Sequence, residues 1–581
     1  MTYHLPLVVP AVGFFALLLL NILVRLIRLA TGRQHLSPPP GPRRLPLIGN
    51  LHQLVQSHPW LEFHRWSKTY GPVMYLDMLG QPIVVLSTYA AAQDLLSKRG
   101  ARYSDRPRSI FFNDLATRGM HLAAQPYDDT FRLHQRLHAP LLNPSAAARY
   151  RTLQDIESTQ LLADLLAGYD RDGEKGLAPM SLFQRTAASM IYALLYGQRL
   201  HTDTEPRLIR AIQVQETFVK ESAFGGHLID LFPALNALPR ALAPWKARGD
   251  RLYAAEHAHH VGNLDRGLAR PGWNFSKHIS RAAAAAEAEP PHGKGHLSAE
   301  AVAWNIGNIA DAAFDTSATA LEWFVLTWVT RGASHMAEAQ RVLDRVVGRG
   351  RLPTYDDRPR LVYIDAIINE TLRWRPFVTG AVAHATLKED TYMGYRIPAG
   401  SIVAPNYWAI SRDESVFGPD ADSFVPERWL AAAAPDEPEA QRGDEEKEAR
   451  VLLRDLPLTL FGFGRRICTG RHVARNGLFI AAARLLWAFD VELADDDDDG
   501  DAGTPEAAAA RRARRVEELA AETACNNDVM FRPLPFRAVF RPRGPWVRDL
   551  LAEHRHDYEH VDLVALLDEA AIATAETQGV V

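Results

Sequence analysis

Phe461-Gly462-Phe463-Gly464-Arg465-Arg466-Ile467-Cys468-Thr469-Gly470 joins a glycine-punctuated loop to a cysteine, and an apolar helical pattern follows at once. Ala474, Leu478, Ala481, Ala482, Leu485 and Leu486 recur at helical spacing down to about Phe489. Cys468 therefore stands near a helix N-terminus, where free backbone N–H groups and a partial positive charge favour a thiolate. Gly464 and Gly470 let the backbone approach whatever the sulfur binds. Arg466 sets a positive charge two residues before the sulfur, suited to an anionic group. A buried structural cysteine is one alternative. A zinc site sharing Cys468 and His472 is another, but it needs two further ligands and no cysteine pair exists.

The run fits Phe-x-x-Gly-x-Arg-x-Cys-x-Gly at every fixed position. It resembles the haem-binding loop of the cytochrome P-450 superfamily, the haem-thiolate monooxygenases, and is closest to fungal microsomal members used in secondary metabolism. The resemblance covers about residues 36–543. It implies a mainly α (α+β) fold, a large helical domain with a small β-sheet region. It also implies heme b (iron protoporphyrin IX) as cofactor, with Cys468 as axial ligand of the iron and Phe461, Gly464 and Arg466 as further contacts. A thiolate there pushes electron density onto the iron and favours O–O cleavage.

Composition sets outer limits. The 581 residues are 47% hydrophobic, enough for a sizeable core, which excludes global disorder. A net charge of −4 leaves no nucleic-acid footprint. With only Cys468 and Cys525, a disulfide framework is not expected. The resemblance divides the chain into an anchor (1–30), a proline-rich hinge (31–50), a catalytic domain (51–543) with surface insertions at 431–450 and 495–527, and a tail (544–581) without an assigned role.

Residues 5–24 are almost all apolar, long enough at helical rise to span a bilayer. Arg25, Arg28 and Arg33 follow while no Lys or Arg precedes, so the remainder is expected to stay cytosolic on an uncleaved anchor in the endoplasmic reticulum membrane. Pro38-Pro39-Pro40-Gly41-Pro42 then reads as a stiff extended hinge.

Residues 72–87 predict a hairpin turning at Gly80. Residues 104–125 resemble the family's lid over the substrate pocket, with Ser104, Ile110 and Phe111 as candidate lining. The next helix departs from the family's Trp-x-x-x-Arg, whose two residues help hold a haem propionate: Phe131 and Gln135 stand there, with Arg132 and Arg136 as nearby substitutes. Residues 205–262 carry two helical patterns resembling the pocket roof. Residues 282–296 read as a loop or partly helical linker.

A long helix is expected from Ser298 as N-cap, since residues 299–329 hold no proline and one glycine. Inside it, Ala312-Ala313-Phe314-Asp315-Thr316-Ser317 resembles the family's Ala-Gly-x-(Asp/Glu)-Thr-(Thr/Ser), with Ala313 replacing glycine. Dioxygen needs two protons before its O–O bond breaks; a hydroxyl relays one and an acid resupplies it. Thr316 fits the first role and Asp315 the second, with Asp311 a turn earlier as the weaker alternative. Ala312 and Phe314 are candidate substrate contacts.

Glu370 and Arg373 lie three apart on a predicted helix ended by Pro376. Pro426-Glu427-Arg428-Trp429 is similar to a family stretch whose arginine joins that pair in a buried structural network. Phe377 to His384 resembles the segment passing beside the haem, which implies His384 as a propionate contact and Val378 and Val382 as pocket wall. Val529 to Phe540 resembles the last hairpin, with Val529 and Met530 reaching the substrate. Asp495, Asp497, Asp499, Gly500 and Glu506 satisfy an EF-hand spacing, but five consecutive aspartates make that match cheap and a solvated charge run is the favoured reading.

The resemblance implies insertion of one atom of dioxygen into an apolar organic substrate. Electrons are expected from NADPH through a separate NADPH–cytochrome P-450 reductase, with cytochrome b5 as a second donor, because no flavin or nicotinamide fingerprint is present. Arg465, Arg471 and Arg475 suit a basic docking face. Two alternatives stand beside this: a non-oxygenating reaction at the same haem, and a haem-binding protein without turnover.

Overall fold

The computed structural model describes residues 36–53, 57–222, 226–288, 297–379, 382–432, 450–453, 455–494 and 505–577. The apolar run at 5–24, most of the 431–450 insertion, Asp495 to Gly500 and the side chain of Glu506 lie outside them. Among the described residues no helix is long and apolar enough to cross a membrane.

The architecture is mainly helical with small sheets. β1 (Val73–Met78) and β2 (Gln81–Leu86) pair antiparallel. Leu79 and Gly80 both take positive φ between them, which matches the twist of a tight hairpin. The principal helices that follow are α1 (Asp129–Leu142), α2 (Arg151–Asp172), α3 (Met180–Tyr196), α4 (Pro206–Glu221), α5 (Pro244–Ala269) and α6 (Phe275–Ala288). Then come α7 (Ala299–Thr330), α8 (Val362–Trp374), β3 (His384–Ala385), β4 (Ile402–Pro405), α9 (Arg471–Ala488), β5 (Phe489–Leu493), α10 (Pro505–Ala520), β6 (Ala538–Pro542), α11 (Pro545–Glu553) and α12 (Leu563–Thr577). The four-stranded sheet runs β1-β2-β4-β3, with β2 and β4 parallel.

The frame is α7, 32 residues long. Ser298 caps it, its Oγ accepting from Ala301 N at 3.1 Å, so one orphan donor of the first turn is satisfied. Its apolar residues run all round, because it is buried on nearly every side: Ala318, Trp323, Val325 and Leu326 join α8 and α9 in the largest core cluster. The single glycine is required by packing. A Cβ on Gly307 would lie 2.0 Å from His260 Nδ1 on α5.

Residues 282–288 are helical, as the end of α6, in line with the partly helical reading, because the alanine run has the highest helix propensity and Phe275, Ile279 and Ala283 bury one face. Two expectations need correction. Residues 529–540 do not pair with each other as strands. β6 instead pairs antiparallel with β5, whose alternating burial leaves it needing a partner across the core edge. The segment expected as a surface insertion at 495–527 ends inside the molecule, where Leu519, Ala520 and Cys525 are buried and Arg375 Nη2 donates to Ala520 O at 2.7 Å.

The tail also packs. Val547 and Leu551 of α11 join the main core, and Leu567 and Ala570 of α12 lie against the cluster of α1, α3 and α6.

Candidate active site

The cysteine loop is built by close backbone approach. Gly464 has φ 55°, and a Cβ there would sit 2.1 Å from Leu96 O, so no side chain fits. Cys468 N donates to Phe461 O at 2.7 Å, closing the loop, and α9 starts three residues later. Phe461 packs against the main core. The Cys468 side chain opens on an internal cavity of about 370 Å³. Its sulfur is accessible from that space, though protein surrounds it on the other sides. Burial pushes the thiol upward, while the Gly470 N–H and Arg471 pull it back.

A cationic wall stands beside the sulfur. Arg466 donates from Nε to Ser104 O (2.9 Å) and from Nη2 to Gln125 O (2.7 Å), and Nη1 is buried with no partner. Its guanidinium lies 3.5 Å from the Phe131 ring centroid, so the phenylalanine at the family's tryptophan position stacks on the loop's own arginine. Arg106 joins it, donating to Ala123 O, Val382 O and Ala383 O. Burial and the neighbouring Arg466 push Arg106 down to about 9; burial alone dominates at Arg466, lowered to about 10. His384 is buried, its Nδ1 2.7 Å from Tyr103 O, and burial with Arg106 holds it at about 3. Among the described residues no carboxylate lies within ion-pair distance of Arg106 or Arg466. The wall is thus charged and, among the described residues, without a carboxylate partner.

Arg132 does not belong to this wall. It is exposed and pairs with Asp129, because its position on α1 faces solvent while Phe131 and Gln135 face inward. Arg136 is exposed as well. Gln135 lines the cavity and donates to Arg465 O at 2.9 Å. Arg106 was missed in the sequence, where nothing local distinguishes it from other arginines near a proline.

The opposite wall is α7. Thr316 lines the cavity, and its hydroxyl donates to Ala312 O at 2.7 Å, leaving its lone pairs toward the open space. Ala312, Ala313 and Asp311 line it too. Asp315 does not. It is fully buried behind α7, gripped by Arg532 at 2.5 Å and by Gln184 at 3.2 Å.

Toward the roof, Asp311 Oδ2 lies 3.5 Å from His260 Nε2, which is 3.3 Å from Glu256 Oε2. All three are buried, and burial raises Glu256 to about 8 and Asp311 to about 7.

Several expected substrate contacts lie elsewhere. Of them, Ala312 and Val382 line the cavity. Phe314 is two residues, about 200° of helical turn, from Ala312 and packs into the core instead. Ile110 and Phe111 form a separate cluster with Ile229, and Phe111 stacks on His227 at 3.6 Å. Met530 and Val378 belong to the main core or pack on it. Val529 is half-buried and does not line the cavity.

Behind the loop, Arg373 makes two 2.7 Å bonds to Glu370, and Arg428 Nε reaches the same carboxylate at 3.1 Å. Trp429 Nε1 and Val425 N add 2.9 Å and 2.8 Å contacts, so both carboxylate oxygens are saturated. The network is buried and holds the chain that carries the cysteine loop.

A thiol opening on a cavity, small residues opposite it and an anion-hungry cationic wall fit a planar iron porphyrin with two carboxylates. The profile of the cytochrome P450 family matches residues 39–513. Over 528 residues the chain is 35% identical to the cytochrome P450 monooxygenase aneD of Aspergillus aculeatus, covering 90% of this chain and 92% of that one. It is 34% identical over 515 residues to the cytochrome P450 monooxygenase peniB of Penicillium patulum, with 88% and 86% covered. A third relative, the cytochrome P450 monooxygenase FrzL of Cladobotryum sp, is 32% identical over 537 residues, with 92% and 93% covered.

Proposed function

The chain belongs to the cytochrome P450 family and is a monooxygenase with a thiolate-ligated haem; from that premise we propose that it inserts one atom of dioxygen into a largely apolar organic substrate held against Cys468. The observation that carries this reading is the placement of Cys468 and Thr316 on one cavity of about 370 Å³.

Cys468 would be the iron ligand, and Arg106 and Arg466, with the buried His384 nearby, would hold the propionates. A propionate there would satisfy the buried Arg466 Nη1 and favour the charged form of His384. When bound, the haem supplies dioxygen activation. Around it, Leu142, Ile191, Ile309 and Val473 exclude water and orient an apolar body. Thr316 Oγ1, fixed by its bond to Ala312 O, accepts and passes a proton inside the cavity. Asp315 supplies a proton only after its pair with Arg532 opens.

Electrons reach the site from NADPH through a separate reductase, and the exposed Arg465 beside the loop supports a basic docking face. The apolar run at residues 5–24 supports anchorage in the endoplasmic reticulum membrane. Fungal relatives support a secondary metabolite as substrate.

The test is a reduced, carbon-monoxide-bound absorption spectrum, followed by NADPH turnover with added reductase. A thiolate-type spectrum and substrate-dependent oxygen incorporation are expected. A spectrum without thiolate character in correctly folded protein would refute the reading.

A further inference from the structure

The cavity is not uniformly apolar. Its lining includes polar side chains more than nine-tenths buried: Asp311 (7% exposed), Asn308 (6%) and His121 (8%) at the roof, with Gln215 (8%) and His138 (1%) also on the lining. Two of them bear atoms without partners. Asn308 Nδ2 donates to Trp304 O (2.6 Å) and Met120 O (3.2 Å), which fixes the amide and leaves Oδ1 unbonded. His121 is held by stacking on Phe218 (4.3 Å) and edge contact with Phe112 (5.7 Å), and its Nδ1 is unbonded. Asp311 meets His260 at 3.5 Å and is otherwise turned to the cavity.

Buried polar atoms left unsatisfied are costly, and a native fold rarely keeps several in one place without a purpose. Here they line the same cavity that opens on Cys468. Asn308 Oδ1 accepts a hydrogen bond, and the Asp311 carboxyl accepts one in its ionised form.

We propose that this roof is a polar anchor for the substrate, and that the substrate is an apolar carbon skeleton bearing a hydrogen-bond donor, a hydroxyl or N–H group. The proposal rests on the monooxygenase reading and names the substrate class of the same site. The anchor binds the donor at the roof and hangs the hydrocarbon body toward the iron, so the oxidised carbon lies at the end of the molecule away from its polar group. A pure hydrocarbon fills the space yet leaves the roof unpaired, and it binds more weakly for that reason.

The experiment titrates the haem-loaded protein with adamantane, 1-adamantanol and 1-methoxyadamantane and follows the substrate-induced spin-state shift. The three share one cage; the alcohol donates, the ether only accepts, and the hydrocarbon does neither. The alcohol is expected to bind about tenfold or more tightly than the other two. In Asp311→Leu and Asn308→Leu that preference is expected to shrink, with hydrocarbon affinity kept or improved. Binding of all three within about twofold, absence of any shift, or a preference surviving in both variants would overturn the anchor. The wild-type comparison stands even where a variant fails to fold. Loss of the thiolate-type carbon-monoxide spectrum in the same wild-type preparation would instead refute the underlying monooxygenase reading.

Discussion

Arg532 and Asp315 stand 217 residues apart in the chain, and a single guanidinium nitrogen, Nη2, bridges both carboxylate oxygens at 2.5 Å. The pair ties the loop before β6 to the centre of α7. Removing the cation leaves a buried carboxylate with Gln184 as its side-chain donor among the described residues and the buried Glu322 close enough to repel it. Arg532→Leu is therefore expected to destabilise the fold by about 3–5 kcal/mol. Adding Asp315→Asn should recover a part of that loss, because the double variant buries no unpaired charge. Denaturant unfolding of the four proteins checks this; strictly additive losses would contradict it.

Thr316 contributes a hydroxyl to the cavity and little to the core. Thr316→Val keeps the shape and removes the proton carrier. Product formed per NADPH consumed should fall by about tenfold or more, with the melting temperature nearly unchanged. Unaltered coupling would remove Thr316 from the chemistry.

Glu370 accepts from Arg373, Arg428, Trp429 and Val425 at once. Glu370→Gln strands two buried guanidinium groups and turns part of the carboxylate's acceptor set into donors. A loss of about 3–5 kcal/mol is expected, along with poor haem incorporation. Near-native stability on thermal unfolding would show that the network is dispensable.

Arg106 lines the cavity, and among the described residues no carboxylate pairs with it. Arg106→Leu should cost the apoprotein no more than about 1–3 kcal/mol, since it frees Ala123 O, Val382 O and Ala383 O but also removes a charge that burial disfavours. It should also speed haem loss to apomyoglobin by about tenfold. Equal rates of loss in both proteins would exclude Arg106 from propionate binding.

The buried acids set a pH dependence. Burial lifts Glu256 from 4.5 to about 8, so between those values the folded chain keeps a proton that the unfolded chain has released. The folded state thus binds more protons, and this group's contribution to stability falls as pH rises through the window. The penalty is absent below about pH 4.5, grows toward pH 8 and is level above. Glu256→Gln should therefore gain stability over the parent at pH 8 by a few kcal/mol, at about 1.4 kcal/mol per pKa unit, and little at pH 4.5. Denaturant unfolding at the two pH values decides it: a difference independent of pH would show that Glu256 is not protonated in the fold.

Local spacing made much of this chain legible. The run from Phe461 to Gly470 and the apolar period after it placed a cysteine before a helix. Ser298 and an uninterrupted pattern placed α7, and the three-residue step from Glu370 to Arg373 put acid and base on one face. Each of these is a relation among residues a turn or a loop apart, where backbone geometry alone brings the groups together. Spacing did not reveal that Arg466 stacks on Phe131, that Arg106 lines the same cavity as Arg466, that Arg132 points to solvent, or that Asp315 is claimed by Arg532. It also did not show that Asp311, Asn308 and His121 share a roof. Those groups meet because helices and loops from distant parts of the chain bury against one another, and burial, not sequence distance, decides which charges pair and which are left open to the cavity.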